Sequence, residues 1–244
     1  MYDISKNKYT SILQGSKEWE MLRAQCFNAS TIGQIMWYED GEYKTGDKKG
    51  KKKIIGLDNA HNYCYKKVQG QFIDELPDVQ KFRNADYGHF MEDLAKVDIC
   101  RLIGFDYDQF DHLLFDVCDE TLLMTSPDMI HKSYEFGFEI KSPTFESGNH
   151  FYAINNVRTQ DDLKEYNCDY YWQCVSAMYQ FELQSYYFVS YLKCVKDEYK
   201  LHIIELKRRE DEISLLKERL AWARAFVRGI SAVKPSIPEY LLKL

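Results

Sequence analysis

The sequence predicts an α/β protein of the α+β kind, with a central mixed β-sheet flanked by helices. Three observations lead there. Helix-like segments fill the chain up to about residue 104; short strand-like segments punctuated by Gly, Pro and Asp run from about 105 to 142; and a helix, two strands and a last helix follow. The order α-α-α-α-βββ-α-ββ-α has no repeats and too few helices for a parallel barrel. At 244 residues, all of it is expected to form one domain, residues 1–244.

The elements follow from local chemistry. Ser16 is placed to cap a helix "KEWEMLRAQ", and Asn28 or Ser30 to cap a second, "STIGQIMWY". Residues 39–57 carry six lysines between 44 and 53 and four glycines between 41 and 56, which predicts a basic loop. It suits a solvated loop and a partner-binding loop equally. "LDNAHNYCYKKVQG" predicts a helix stopped by Gly70. In "NADYGHFMEDLAKVDICRLIG", Met91, Leu94, Ala95 and Ile99 recur at helical spacing before Gly104 ends the run. His89, one turn before Glu92, reads as a packed or exposed histidine.

"FDYDQFDHLLFDV", "ETLLMTSPDMI" and "EFGFEIKSP" are expected to be three strands of a meander. "DYYWQCVSAMYQFEL" predicts an aromatic-rich helix, with Trp172 and, earlier in the chain, Trp19 as core anchors. "SYYFVSYLKCV" and "YKLHIIEL" predict two more strands, and residues 208–230 an amphipathic C-terminal helix carrying Trp222 and Phe226 on one stripe.

Composition narrows the function classes. No run of 18 apolar residues exists, so no membrane span is expected, and the N-terminal "MYDISKNKYT" lacks an apolar signal core, so a cytoplasmic location is. Seven scattered cysteines without a C-x-x-C argue for reduced thiols, against a zinc site or disulfide scaffold. A net charge of −6 predicts no general affinity for polyanions, so nucleic-acid binding has to come from local patches.

The stretch "EFGFEIKSP" carries the chemistry. Alternation points Phe136, Phe138 and Ile140 one way and Glu139 and Lys141 the other. On its own such a pair is commonly a solvated face. Asp128, 11 residues earlier in "TSPDMI", is spaced so that two adjacent hairpin strands set it beside Glu139 with Lys141 next door. Two carboxylates in one place repel unless a cation neutralises them, and a hard divalent ion does so through oxygen ligands. A carboxylate pair, its ion and a lysine suit hydrolysis of a phosphodiester.

"SPD" followed by "EIK" resembles the core of the PD-(D/E)xK nucleases, which have a restriction-endonuclease-like fold. "QGSKEWEMLRAQCFNASTIG", through Gln14, Gly15, Trp19, Arg23, Ala29 and Ser30, resembles the N-terminal signature of the lambda exonuclease and YqaJ-like viral recombinase family. "YGHFMED" and "YYWQCVSAMYQFELQSYYFVSY" resemble two further segments of that family, in the right order. The resemblance implies that Asp128, Glu139, the backbone carbonyl of Ile140 and Glu92 bind Mg²⁺, with Mn²⁺ as an alternative. It implies that Lys141 and Gln173 position the attacking water, and that Arg23, Ser30 and Ser126 grip a 5′-phosphate. Departures from the pattern are Met129, Ser142 and Val175, none of them a ligand position.

The implied activity is 5′→3′ exonuclease digestion of linear double-stranded DNA, leaving 3′ tails for phage-type recombination. A ring-shaped homotrimer and a single-strand annealing protein as partner are implied as well. Two alternatives stand beside it: an endonuclease or Cas4-like nuclease of the same fold, and a non-catalytic DNA-end binding module. The cysteine spacing speaks against the iron–sulfur cluster of a Cas4-like protein.

Overall fold

The computed structural model describes residues 2–73 and 83–231. Helix α1 (Lys17–Gln25) begins as expected, with Ser16 accepting a hydrogen bond from the Trp19 N–H at 3.1 Å. After β1 (Phe27–Asn28), the segment expected to be a second α-helix is a 3₁₀-helix, Ala29–Ile35. Asn28 does not cap it; its side-chain amide donates to the Arg23 carbonyl instead.

The lysine-rich segment forms a hairpin, β2 (Tyr38–Glu42) with β3 (Lys52–Ile55), where a loop was expected. Gly41 is needed there because the Ile55 side chain crosses the ribbon 2.4 Å from where a Cβ would stand. Helix α2 (Leu57–Gly70) ends at Gly70. A Cβ at Gly70 would stand 2.1 Å from the Ala24 carbonyl oxygen, so the glycine lets α1 approach, beyond any role as a stop signal.

Helix α3 (Arg83–Ile103) ends at Gly104 in the left-handed region, φ +77°. Then come β4 (Phe110–Asp111), β5 (Asp116–Cys118), β6 (Leu123–Thr125), β7 (Met129–His131) and β8 (Phe136–Lys141). Two of the three expected meander strands are thus split. Pro127 has no N–H to offer a ladder and separates β6 from β7.

Two helices that the periodicity did not predict follow: α4 (Asn149–Asn156) and α5 (Gln160–Tyr166). They are short, but α5 carries a local signal, a capping box in which Thr159 and Asp162 serve each other's backbone N–H groups. Helix α6 (Cys168–Gln180), β9 (Ser185–Tyr191), β10 (Leu201–Lys207) and α7 (Glu210–Ser231) complete the order.

The main sheet has the order β10-β9-β8-β7-β4; β8 and β9 are parallel and the other neighbours antiparallel. A second sheet, β1-β6-β5, pairs β1 with β6 in parallel. Alternation along β8 and β9 divides the interior in two. Phe138, Ile140, Val189 and Tyr191 pack with Ala95 and Ile99 of α3. Tyr186 and Phe188 pack on the other side with α6 and α7, through Trp172, Met178, Leu216 and Leu220. Trp19 and Trp172 are buried anchors, and Trp222 and Phe226 pack on Trp37 and His61 of the same chain. Among the described residues, no disulfide joins the cysteines. Among the described residues, no helix is long and apolar enough to cross a membrane.

Candidate active site

Strand β8 lies mid-sheet and buries one edge of every second residue under α3, which leaves Glu139 and Lys141 on the α6 side. The antiparallel register Met129↔Phe138 sets position 128 across from 139, so Asp128 shares that face. The Ile140 N–H donates to Asp128 Oδ2 at 2.6 Å, and Lys141 Nζ donates to Glu139 Oε1 at 2.5 Å. Gly137 is required in the strand: a Cβ there would stand 2.7 Å from the Tyr186 ring, whose hydroxyl donates to the Phe138 carbonyl.

The electrostatics are those of crowded, dry carboxylates. Burial, then the Glu139 carboxylate and then Glu92, push the Asp128 carboxyl well above the usual range. Burial also pushes Glu139 upward, against the pull of Lys141. For Lys141, burial works downward, but the Glu139 and Asp128 carboxylates outweigh it and raise its pKa. Glu139 is 1% exposed. The buried Glu139 and half-buried Asp128 carboxylates are hard oxygen donors, which fit a divalent cation that would relieve their repulsion.

Glu92 is placed less simply. It lines the same cavity of about 360 Å³ as Lys141, together with Ser142, Asn149, Tyr170 and Ser190. Its carboxylate pairs with Lys96 at 2.7 Å, and the Lys96 side chain is only 5% exposed. Among the described residues, no three His, Cys, Asp or Glu side chains are gathered as metal ligands. The Ile140 backbone N–H is held by Asp128. The His89 side chain lies outside the described residues.

Gln173 is buried on α6, beside Cys174, whose thiol burial and the Glu139 carboxylate push upward. The α6 group resting on Lys141 is the Tyr170 ring, 5.3 Å from Nζ to centroid. Tyr170 had been legible only as part of an apolar helix; its i, i+3 spacing to Gln173 was the available signal. Lys96 was equally legible as an i, i+4 partner of Glu92.

The remaining three residues depend on the second sheet. The pair Asn28↔Met124 runs parallel, so both chains leave it in the same direction, toward Ser30 and Ser126. Ser126 stands two residues before Asp128, and its buried hydroxyl has no hydrogen-bond partner among the described residues. Arg23, on the last turn of α1, packs its guanidinium 5.1 Å from the Trp19 ring centroid, while its carbonyl accepts from Asn28 and from Lys67. Ser30 sits on a 3₁₀ turn, so the α-helical N-terminus expected around it is not there.

No protein-family model matches the sequence, and no curated protein matches it. Solved structures do. An alkaline exonuclease (LHK-Exo) from Laribacter hongkongensis superposes with a TM-score of 0.66 at 16% identity, over 93% of this chain and 97% of that one. The same enzyme in complex with dAMP gives a TM-score of 0.67. A phage-related exonuclease from Haemophilus somnus 129PT gives 0.62 at 13% identity, over 84% and 94% of the two chains. At such identities the likeness is one of architecture, and it extends over nearly the whole chain: this protein has the mixed α/β fold of these exonucleases.

Proposed function

We propose that the chain is a metal-dependent deoxyribonuclease that digests linear double-stranded DNA in the 5′→3′ direction and leaves 3′ tails for recombination. The observation that carries this reading is the meeting of Asp128, Glu139 and Lys141 on adjacent strands. The shared fold of the solved exonucleases supports it.

Asp128, Glu139, the Ile140 carbonyl and Glu92 would hold Mg²⁺ or Mn²⁺. When bound, such an ion supplies a lowered water pKa and a counter-charge for the phosphodiester. Lys141, steadied by Glu139 and Tyr170, places its ammonium where negative charge grows, in surroundings dry enough to strengthen the interaction. Gln173 orients the attacking water from α6. Arg23, Ser30 and the Ser126 hydroxyl hold the 5′-phosphate, with the guanidinium donating two parallel hydrogen bonds. By the same reading the protein works as a homotrimeric ring in a bacterial cytoplasm, beside a single-strand annealing protein.

End-labelled linear duplexes bearing a 5′-phosphate or a 5′-hydroxyl test the reading. Nucleotide release should need Mg²⁺, stop with EDTA and start at the phosphorylated 5′ end. Cutting of a covalently closed circle would favour an endonuclease. Background release from both wild type and Lys141→Ala would leave a non-catalytic end-binding module.

A further inference from the structure

The strongest charge feature outside the site is the β2–β3 hairpin. Lys44, Lys48, Lys49, Lys51, Lys52 and Lys53 crowd its tip and return strand, against only Glu42 and Asp47 over residues 41–56. All six lysines are exposed, and β3 is exposed at every residue. Among the described residues, none of the six is ion-paired within 4 Å. Tyr43 instead carries two of them, with Lys48 and Lys53 at 5.5 and 5.1 Å from its ring centroid. In a chain of net charge −6, this concentrates positive charge on one projecting ribbon. A solvated loop needs neither the antiparallel pairing of β2 with β3 nor the shared aromatic perch.

We infer that this hairpin grips the phosphate backbone of duplex DNA, laying its two strands along a groove. Ammonium groups on a narrow ribbon displace counterions along the backbone, and a two-stranded ribbon is a shape that the B-DNA major groove admits. The base of the hairpin is fixed. Trp37 meets Trp222 edge to face at 4.5 Å and lies under the Arg219 guanidinium at 3.7 Å, so α7 braces the root of β2. The root also continues directly from the 3₁₀-helix that carries Ser30. At about 2 Å rise per 3₁₀ residue and at most about 3.6 Å per extended one, the root lies within about 20 Å of Ser30. The ribbon adds roughly 15 Å. Its lysines therefore reach a duplex within about one helical turn, about 35 Å, of a 5′-end held at Ser30.

The inference rests on the DNA-end reading of the site, and the test separates the two. Binding of a 5′-phosphorylated linear duplex is measured in EDTA over a range of salt, and nucleotide release in Mg²⁺, for three proteins: wild type, a variant with Lys48, Lys49, Lys51 and Lys52 changed to Ala, and one with the same four changed to Arg. The Ala variant should bind the duplex about tenfold or more weakly, with a log K against log salt slope flatter by about 2 or more. The Arg variant should keep both, and all three should release nucleotides equally from a short single-stranded 5′-phosphorylated oligonucleotide.

Unchanged affinity and slope in the Ala variant, absence of duplex binding by wild type, or an equal loss on the short oligonucleotide would overturn the inference. If wild type binds through the hairpin yet releases no nucleotide, the nuclease reading fails while the hairpin stands. If it digests DNA and the Ala variant is indistinguishable, the hairpin fails alone.

Discussion

Lys141 donates to Glu139 at 2.5 Å, and its side chain is 27% exposed against 2% for the glutamate. The lysine is thus the solvent-side member of a pair whose acid is sealed. Removing a partner from a buried pair costs about 3 kcal/mol, because the remaining charge keeps its desolvation penalty. Lys141→Ala should therefore lose nucleotide release by at least about a hundredfold and also unfold at lower urea in EDTA. Single-turnover kinetics and urea denaturation read the two effects separately.

Burial and then the Glu139 carboxylate raise the pKa of Asp128, so the site carries repulsion that a cation would relieve. Asp128→Asn keeps an acceptor for the Ile140 N–H and removes one charge. It should be more stable than wild type in EDTA. Added Mg²⁺ should raise the thermal midpoint of wild type, by about 2.7 kcal/mol of stability at a hundred times Kd, and leave the variant nearly unmoved. Calorimetry with and without Mg²⁺ checks both halves.

Arg23 lies beside Trp19, away from the carboxylates, and its assigned work is the terminal phosphate. Arg23→Ala should erase the faster digestion of 5′-phosphorylated over 5′-hydroxyl ends. Release from the hydroxyl end should stay close to wild type. Paired end-labelled substrates measure the ratio.

Lys67 is buried against the Arg23 carbonyl, and burial lowers its pKa to about 8. A lysine whose folded pKa lies below its unfolded value binds fewer protons when folded. Its burial penalty is therefore full below about pH 8 and fades as pH rises toward the unfolded value near 10.5. Lys67→Met should be more stable than wild type at pH 7, by up to about 3 kcal/mol, and the gap should close between pH 8 and 10.5. Urea denaturation across that range gives the difference.

Two glycines in helices should respond oppositely. Gly70→Ala forces a Cβ against the Ala24 carbonyl, with α1 and α2 pressed apart at a cost of about 2 kcal/mol. Gly229 in α7 has nothing within 4 Å of its would-be Cβ, so Gly229→Ala should stabilise by about 1 kcal/mol. Thermal midpoints distinguish them.

Much of the fold was legible where local chemistry dominates. The Ser16 cap, Gly104 and the alternation of β8 all reflect backbone propensity or a period of two or 3.6. Where non-local partners decide, local reading fell short. Residues 29–35 wind as a 3₁₀-helix beside α6, the lysine segment pairs with β2, and Pro127 sends its two flanking strands into different sheets. Gly70 looked like a stop because a helix ends there; the contact that demands it comes from another helix.

By itself, the sequence determined the mixed α/β class and a two-residue spacing that turns Glu139 and Lys141 to one face of a strand. Only tertiary structure decided that Glu139 is buried on this face, that Asp128 meets it across the hairpin, that Glu92 answers to Lys96, and that Tyr170 rests on the lysine. Side-chain direction along a strand is a local property of the backbone. Burial, pKa and partnership arise from chain segments that only folding brings within a few ångströms.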